Sequence, residues 1–243
     1  ARILDSKIGA VLDALDKSGL AGNTLVICTT DHGIAFPTMK CNLTDGGIGV
    51  MLIMRGPGGF SGGKAIDGLV SHVDVFPTIC DLLAISPPPW LEGISVIPLV
   101  RGEKKEIRDE IFAEVNYHAS YEPMRCIRTR RWKYIKRYDG RNRIVAPNID
   151  PGISKNAWIA AGFRDVPLAE EELYDLTFDP AETNNLASNP AHAGTLNDMK
   201  LRLEKWMKST NDTILKGPIP APIGAKINNP DGLEPTEEPY IVR

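Results

Sequence analysis

Asp31 and His32 stand side by side just before Gly33, with Thr29-Thr30 linking them to the apolar run Leu25-Val26-Ile27-Cys28. A buried strand that ends in a carboxylate and an imidazole, then turns on glycine, delivers two metal-ligating groups to one point. Aspartate supplies a hard oxygen donor and histidine a borderline nitrogen donor. In open α/β sheets, ligands bind outside the carboxyl ends of the strands. The same triplet also suits a loop aspartate that caps a helix beside a hydrogen-bonded histidine, and the residue types alone leave both readings open. Lys40 follows nine residues after Asp31. A cation there would hold an anionic substrate and stabilise charge that develops in a transition state. Without that setting, a lone loop lysine is a solvated surface charge.

A second group lies in Tyr117-His118-Ala119-Ser120-Tyr121-Glu122-Pro123-Met124-Arg125. This stretch reads as a polar, aromatic loop on the rigid support of the strand that follows, a common place for recognition. Its tyrosines suit stacking on sugar faces, and Glu122 and Arg125 suit hydroxyl and anionic groups. The alternative is a surface loop with Arg125 in an ordinary ion pair. The basic run Arg125, Arg128, Arg130, Arg131, Lys133, Lys136 and Arg137 alternates with Ile127, Trp132, Tyr134 and Ile135, which reads as the outer face of a half-buried antiparallel pair. His72 reads as a helix-start residue, with Ser71 or Asp74 capping. Cys28, Cys41, Cys80 and Cys126 form no C-x-x-C pair and no zinc-like cluster, and read as free, mostly buried thiols.

Elements must hold these residues in place. Ile3, Ile8, Val11, Leu12 and Leu15 recur at helical spacing, which predicts an amphipathic helix over 3–19 packing on a sheet. Strands are predicted at 24–30 and 48–54. Their continuous apolar runs suit a sheet covered on both faces. The stretch 34–47 reads as a loop. A short strand is predicted at 68–71 and a helix over Val73–Leu83, with Pro77 early in it where proline is tolerated. Beyond 103–110 the character changes. Strands are predicted at 111–115, 124–129, 132–137 and 172–176, and a helix at 190–210 with Leu196, Met199, Leu203, Trp206 and Met207 on one face. The tail from Gly217, rich in proline and glycine, reads as an extended strap.

The chain has 243 residues, 42% hydrophobic and 24% charged, with a formal net charge of -3. That suits one or two globular domains. It offers no basic footprint for nucleic acid. No apolar run reaches the roughly 18 residues of a membrane span. The chain opens inside a helical pattern, so Ala1 is expected not to be a natural start.

Five stretches together resemble the sulfatases of the alkaline-phosphatase-like superfamily, most closely the N-sulfoglucosamine sulfohydrolase branch. They are T-T-D-H-G-I-A-F-P-T-M-K at 29–40, G-V-M-L-I-M-R-G-P-G at 49–58, S-H-V-D-V-F-P-T-I-C-D-L-L at 71–83, Y-E-P-M-R-C-I-R-T-R-R-W-K-Y-I at 121–135 and E-L-Y-D-L-T-F-D-P-A-E-T-N-N-L-A at 172–187. The resemblance implies an α/β fold: part of a mixed sheet with flanking helices over 1–105, then a smaller C-terminal antiparallel sheet with a packed helix over 106–243. It implies Asp31 and His32 as metal ligands, Lys40 as the catalytic cation on the sulfate, and His118, Glu122 and Arg125 around the sugar. The implied reaction is hydrolysis of a sulfate ester or sulfamate on a sulfated saccharide.

Such enzymes use a divalent cation, usually Ca2+, and a formylglycine made within C/S-x-P-x-R. That motif lies in the family's N-terminal half and does not occur here. The resemblance therefore makes this chain a C-terminal portion, with the N-terminal half of the same protein as its partner, beside a sulfated saccharide. Self-association into a homo-oligomer is also expected. Many sulfatases have Asn after the ligand aspartate. His32 admits Mn2+ or Zn2+ and keeps open a phosphodiester or phosphonate monoester hydrolase of the same superfamily. A non-catalytic saccharide-binding fragment is the third reading.

Overall fold

The computed structural model describes residues 2–242. In chain order its elements are α1 (Arg2–Lys17), β1 (Val26–Thr29), α2 (Asp45–Ile48), β2 (Leu52–Arg55), α3 (Val75–Leu82), α4 (Ile97–Val100), β3 (Glu110–Tyr117), β4 (Tyr121–Thr129), β5 (Trp132–Arg137), α5 (Ile153–Ala160), β6 (Glu171–Asp175), α6 (Ala193–Ser209), β7 (Lys226–Ile227) and β8 (Tyr240–Ile241). They fall into two compact units, 1–30 with 51–109, and 31–50 with 110–243.

In the first unit β1 pairs antiparallel with β2, Val26 opposite Arg55 and Thr29 opposite Leu52. Both strands are shorter than predicted, because residues 45–48 close a helical turn and the chain reaches β geometry only at Leu52. No strand forms at 68–71. Phe60, Val96, Ile97, Leu99 and Val100 make the core, flanked by Leu25, Met54, Val70 and Leu82. The helix predicted at 73–83 starts with a 3-10 turn at His72–Asp74 and continues as α3. Asp74 caps it as expected, accepting from Ser71 N at 2.8 Å and Ile94 N at 2.9 Å and pairing with Arg108. His72 bonds Thr29 Oγ1 through Nε2 at 2.7 Å, a structural contact. On α1 the predicted apolar face is only partly covered: Ile8, Leu12 and Leu15 are half-buried, Ile3 and Val11 are exposed, and none of its described residues is fully buried. Continuous burial of both strands fails too, since β1 and β2 are half-buried, and Cys28 with them. A two-stranded ribbon has too little surface to cover either face.

The second unit is built on the antiparallel sheet β3-β4-β5-β6. One face carries Ile127, Tyr134 and Leu173 against Met199, Leu203 and Met207, one turn apart on α6. The other carries Met124, Cys126, Ile135 and Tyr174 against Leu43, with Ile48 alongside. Each such side chain, fully buried, stabilises the fold by roughly 1.5–3 kcal/mol. Because both faces are covered, the basic run is not the outer face of a half-buried pair. Arg125 and Lys133 are fully buried and Arg137 nearly so. Alternation along a hairpin shows two faces but not what covers each. The cover of the second face comes from residues 43–48, some 80 positions away in sequence.

Candidate active site

Asp31, His32 and Lys40 lie in the segment 31–50, which is anchored on the large sheet. Asp45 accepts from Arg128 Nε at 3.0 Å and from Lys133 Nζ at 2.5 Å. Lys133 also pairs with Glu182 at 2.9 Å, and Asp45 N donates to Glu182. Burial alone would raise the Asp45 pKa. Hydrogen bonds from Arg128 and the charge of Lys133 outweigh it and hold the carboxyl below its ordinary value. The segment then folds tightly on itself. Gly33 N donates to Gly47 O at 2.8 Å, and a Cβ on Gly33 would stand 1.9 Å from Gly46 O. The glycine after Asp31-His32 is thus required by close backbone approach.

His32 Nδ1 sits 2.7 Å from its neighbour's carbonyl, Gly33 O. A carbonyl can only accept, so the proton is assigned to Nδ1, and Nε2 is left with its lone pair. Nε2 lies 3.6 Å from Asp31 Oδ2. That spacing is one that two donors on a single cation can span, given metal–ligand lengths of about 2.0–2.6 Å. Asp31 is exposed and His32 half-buried, so the pair is reachable from solvent. Among the described residues no group of three or more His, Cys, Asp or Glu converges as a metal site. The donor set therefore fits two positions of a divalent cation. The nitrogen donor is less natural for Ca2+ than for Mn2+ or Zn2+.

Lys40 Nζ donates to both oxygens of Asp150 at 2.9 Å. His118 is near enough that burial first, then the Lys40 charge, lower its pKa, with Asp150 opposing and His32 adding to the fall. Its imidazole is neutral near pH 7. Beside them the Cys41 thiol is pushed up to about 12, mainly by burial, so it is no nucleophile. Lys40 and Asp150 are thus bonded across 110 positions, and the charges of Lys40, Asp150 and His32 are felt at His118 from three segments.

Glu122 and Arg125 sit differently. The strand β4 begins at Tyr121, so only residues 118–120 form the loop, and both side chains point into covered faces of the sheet. Glu122 is buried between Arg137 Nη1 at 3.0 Å and Asn148 Nδ2 at 2.9 Å. Arg125 binds Asp212 through Nε at 2.5 Å and Nη2 at 2.9 Å, and Asn116 Oδ1 at 2.9 Å. Asn148 in turn accepts from Ser120 N at 2.8 Å. One buried chain of bonds therefore joins Glu122 to the loop of His118 and to the turn before Asp150. Sequence reading missed Asn148 and Asp150. Their stretch, Pro147-Asn148-Ile149-Asp150-Pro151, carries only turn signals.

A sulfatase family model matches residues 1–85. The Ulvan-active sulfatase of Formosa agariphila is 29% identical over 86% of this chain and 37% of its own length. N-sulphoglucosamine sulphohydrolase of Homo sapiens is 28% identical over 86% of this chain and 46% of its own. A solved 2-O GAG sulfatase superposes with a TM-score of 0.70 at 27% identity, covering 90% of this chain and 43% of that one. The chain spans less than half the length of each. The chain thus matches a sulfatase family model at one end and is similar to sulfatases over most of its length.

Proposed function

We propose that the chain supplies part of the site of a hydrolase that releases sulfate from a sulfated saccharide, N-sulfoglucosamine-like. The observation that carries this is the bond between Lys40 and Asp150, whose charges are felt with that of His32 at His118, with Asp31 beside His32, in one unit of a chain similar to sulfatases. Asp31 and His32 would hold the divalent cation, which when bound polarises a sulfuryl oxygen. Lys40 brings a fixed positive charge to the same anion. An ammonium has three N–H donors, and Asp150 cannot exhaust them. Asp150 acts as a positioning residue that holds Lys40 in place. Neutral His118 presents one donor and one acceptor nitrogen to a saccharide hydroxyl or amine. Glu122 and Arg125 act from behind, Glu122 by fixing the His118 and Asp150 loops and Arg125 by locking β4 to Asp212. Formylglycine is assigned to no residue of this chain.

The test is sulfate release from N-sulfoglucosamine by the gene's full product. Asp31→Ala and Lys40→Ala are expected to lower turnover by about 100-fold or more, with an unchanged unfolding midpoint. Near-normal release by either variant would sink the assignment. The nitrogen donor of His32 also favours a second reading, a phosphodiester or phosphonate monoester hydrolase. Side-by-side turnover of phosphodiester and sulfated substrates separates the two.

A further inference from the structure

A cavity of about 440 Å3 in the second unit is lined by three arginines, Arg141, Arg143 and Arg164, by Ile144 and Ile159, and by Asp165 and Asp231. Three guanidiniums around one cavity repel one another unless anions offset them. Asp231 does so in part. It accepts from Arg141 Nη2 at 2.5 Å, and its backbone carbonyl accepts from Arg164 Nη2 at 2.8 Å. Three arginines against two aspartates still leave a formal charge of +1. Arginine carries five N–H donors, so most of the donors here remain free. Arg141 Nε is buried without a hydrogen-bond partner, which is costly unless something accepts from it. Arg143 forms no ion pair among the described residues, and is exposed. Two of the lining residues, Ile144 and Ile159, belong to a small apolar cluster.

Planar forks of donors beside apolar side chains suit an oxyanion carried on a larger body with an apolar face. The cavity has room for a monosaccharide unit. The same segment, 141–165, supplies Asp150 to Lys40. We infer that this cavity is a second oxyanion subsite, taking a sulfate or carboxylate group of an extended acidic saccharide. The oxyanion chemistry stands on the cavity alone; the saccharide rests on the function proposed above.

Calorimetric titration of the gene's full product tests it. The probes are a sulfated glycosaminoglycan tetrasaccharide, its desulfated counterpart, N-sulfoglucosamine and inorganic sulfate. Arg143→Ala, which breaks no ion pair among the described residues, is expected to weaken tetrasaccharide binding about tenfold, as is Arg164→Ala. N-sulfoglucosamine binding should be unchanged in both. Retained binding of the desulfated probe, with the same loss in Arg143→Ala, assigns the carboxylate. Wild-type tetrasaccharide affinity in both variants overturns the inference, as does a loss confined to inorganic sulfate. Lys40→Ala keeps the two readings apart. If it leaves N-sulfoglucosamine binding intact, the active-site reading falls, while a loss in Arg143→Ala still stands.

Discussion

Arg125 shows how a single residue changes role once its surroundings are known. In sequence it is a cation beside a recognition loop. In the fold it is wholly buried, with Asp212 on one side and Asn116 on the other. Removing one partner of such a pair leaves an uncompensated buried charge, at a cost of about 3–5 kcal/mol. Arg125→Ala should therefore lower the denaturant midpoint strongly, and a wild-type midpoint would contradict a framework role. His32 goes the other way. Its bond to Gly33 O turns a generic imidazole into one with a defined free nitrogen.

At the scale of elements, the segment 31–50 is the decisive piece. It has little regular structure beyond α2, and it keeps its shape through Asp45, Leu43 and the close approach of Gly33 to Gly46. Because the Asp45 pKa is depressed in the folded state, its contribution to stability is present above the ordinary aspartate value of about 3.9. It is lost as the pH falls through the depressed folded value. Asp45→Asn should cost stability at pH 7 and approach the wild type in strongly acid solution. Denaturant titrations of both proteins from pH 7 down to pH 3 give the comparison, and a constant gap would refute the linkage. The same variant should expose residues 34–41 to limited proteolysis.

At the scale of the whole molecule, the two units differ in how well they cover themselves. The second has a sheet covered on both faces. The first leaves Ile3 74% exposed, Val11 68% and Ile53 58%. Contiguous apolar surface and an unpaired strand edge favour association. The 243-residue chain should elute from a sizing column as an oligomer or aggregate, and a clean monomer peak would contradict this. No helix among the described residues is long and apolar enough to cross a membrane.

Local pattern was enough for much of this protein. The apolar face of α6, the helix α3, the strands of the large sheet, the cap at Asp74 and the family motifs were legible, because each depends on neighbours within a few residues. That Asp31, His32 and Lys40 share one short stretch was legible too; the chemistry given to them belongs to the proposed function. Tertiary structure alone decided what covers the second face of the sheet, and hence that Lys133 and Arg125 are buried. It alone brought Asp150 to Lys40, 110 positions apart, and set His118 near both. These are long-range contacts between loops whose residues carry only turn preferences, and burial of a charge depends on a partner that no local spacing reveals.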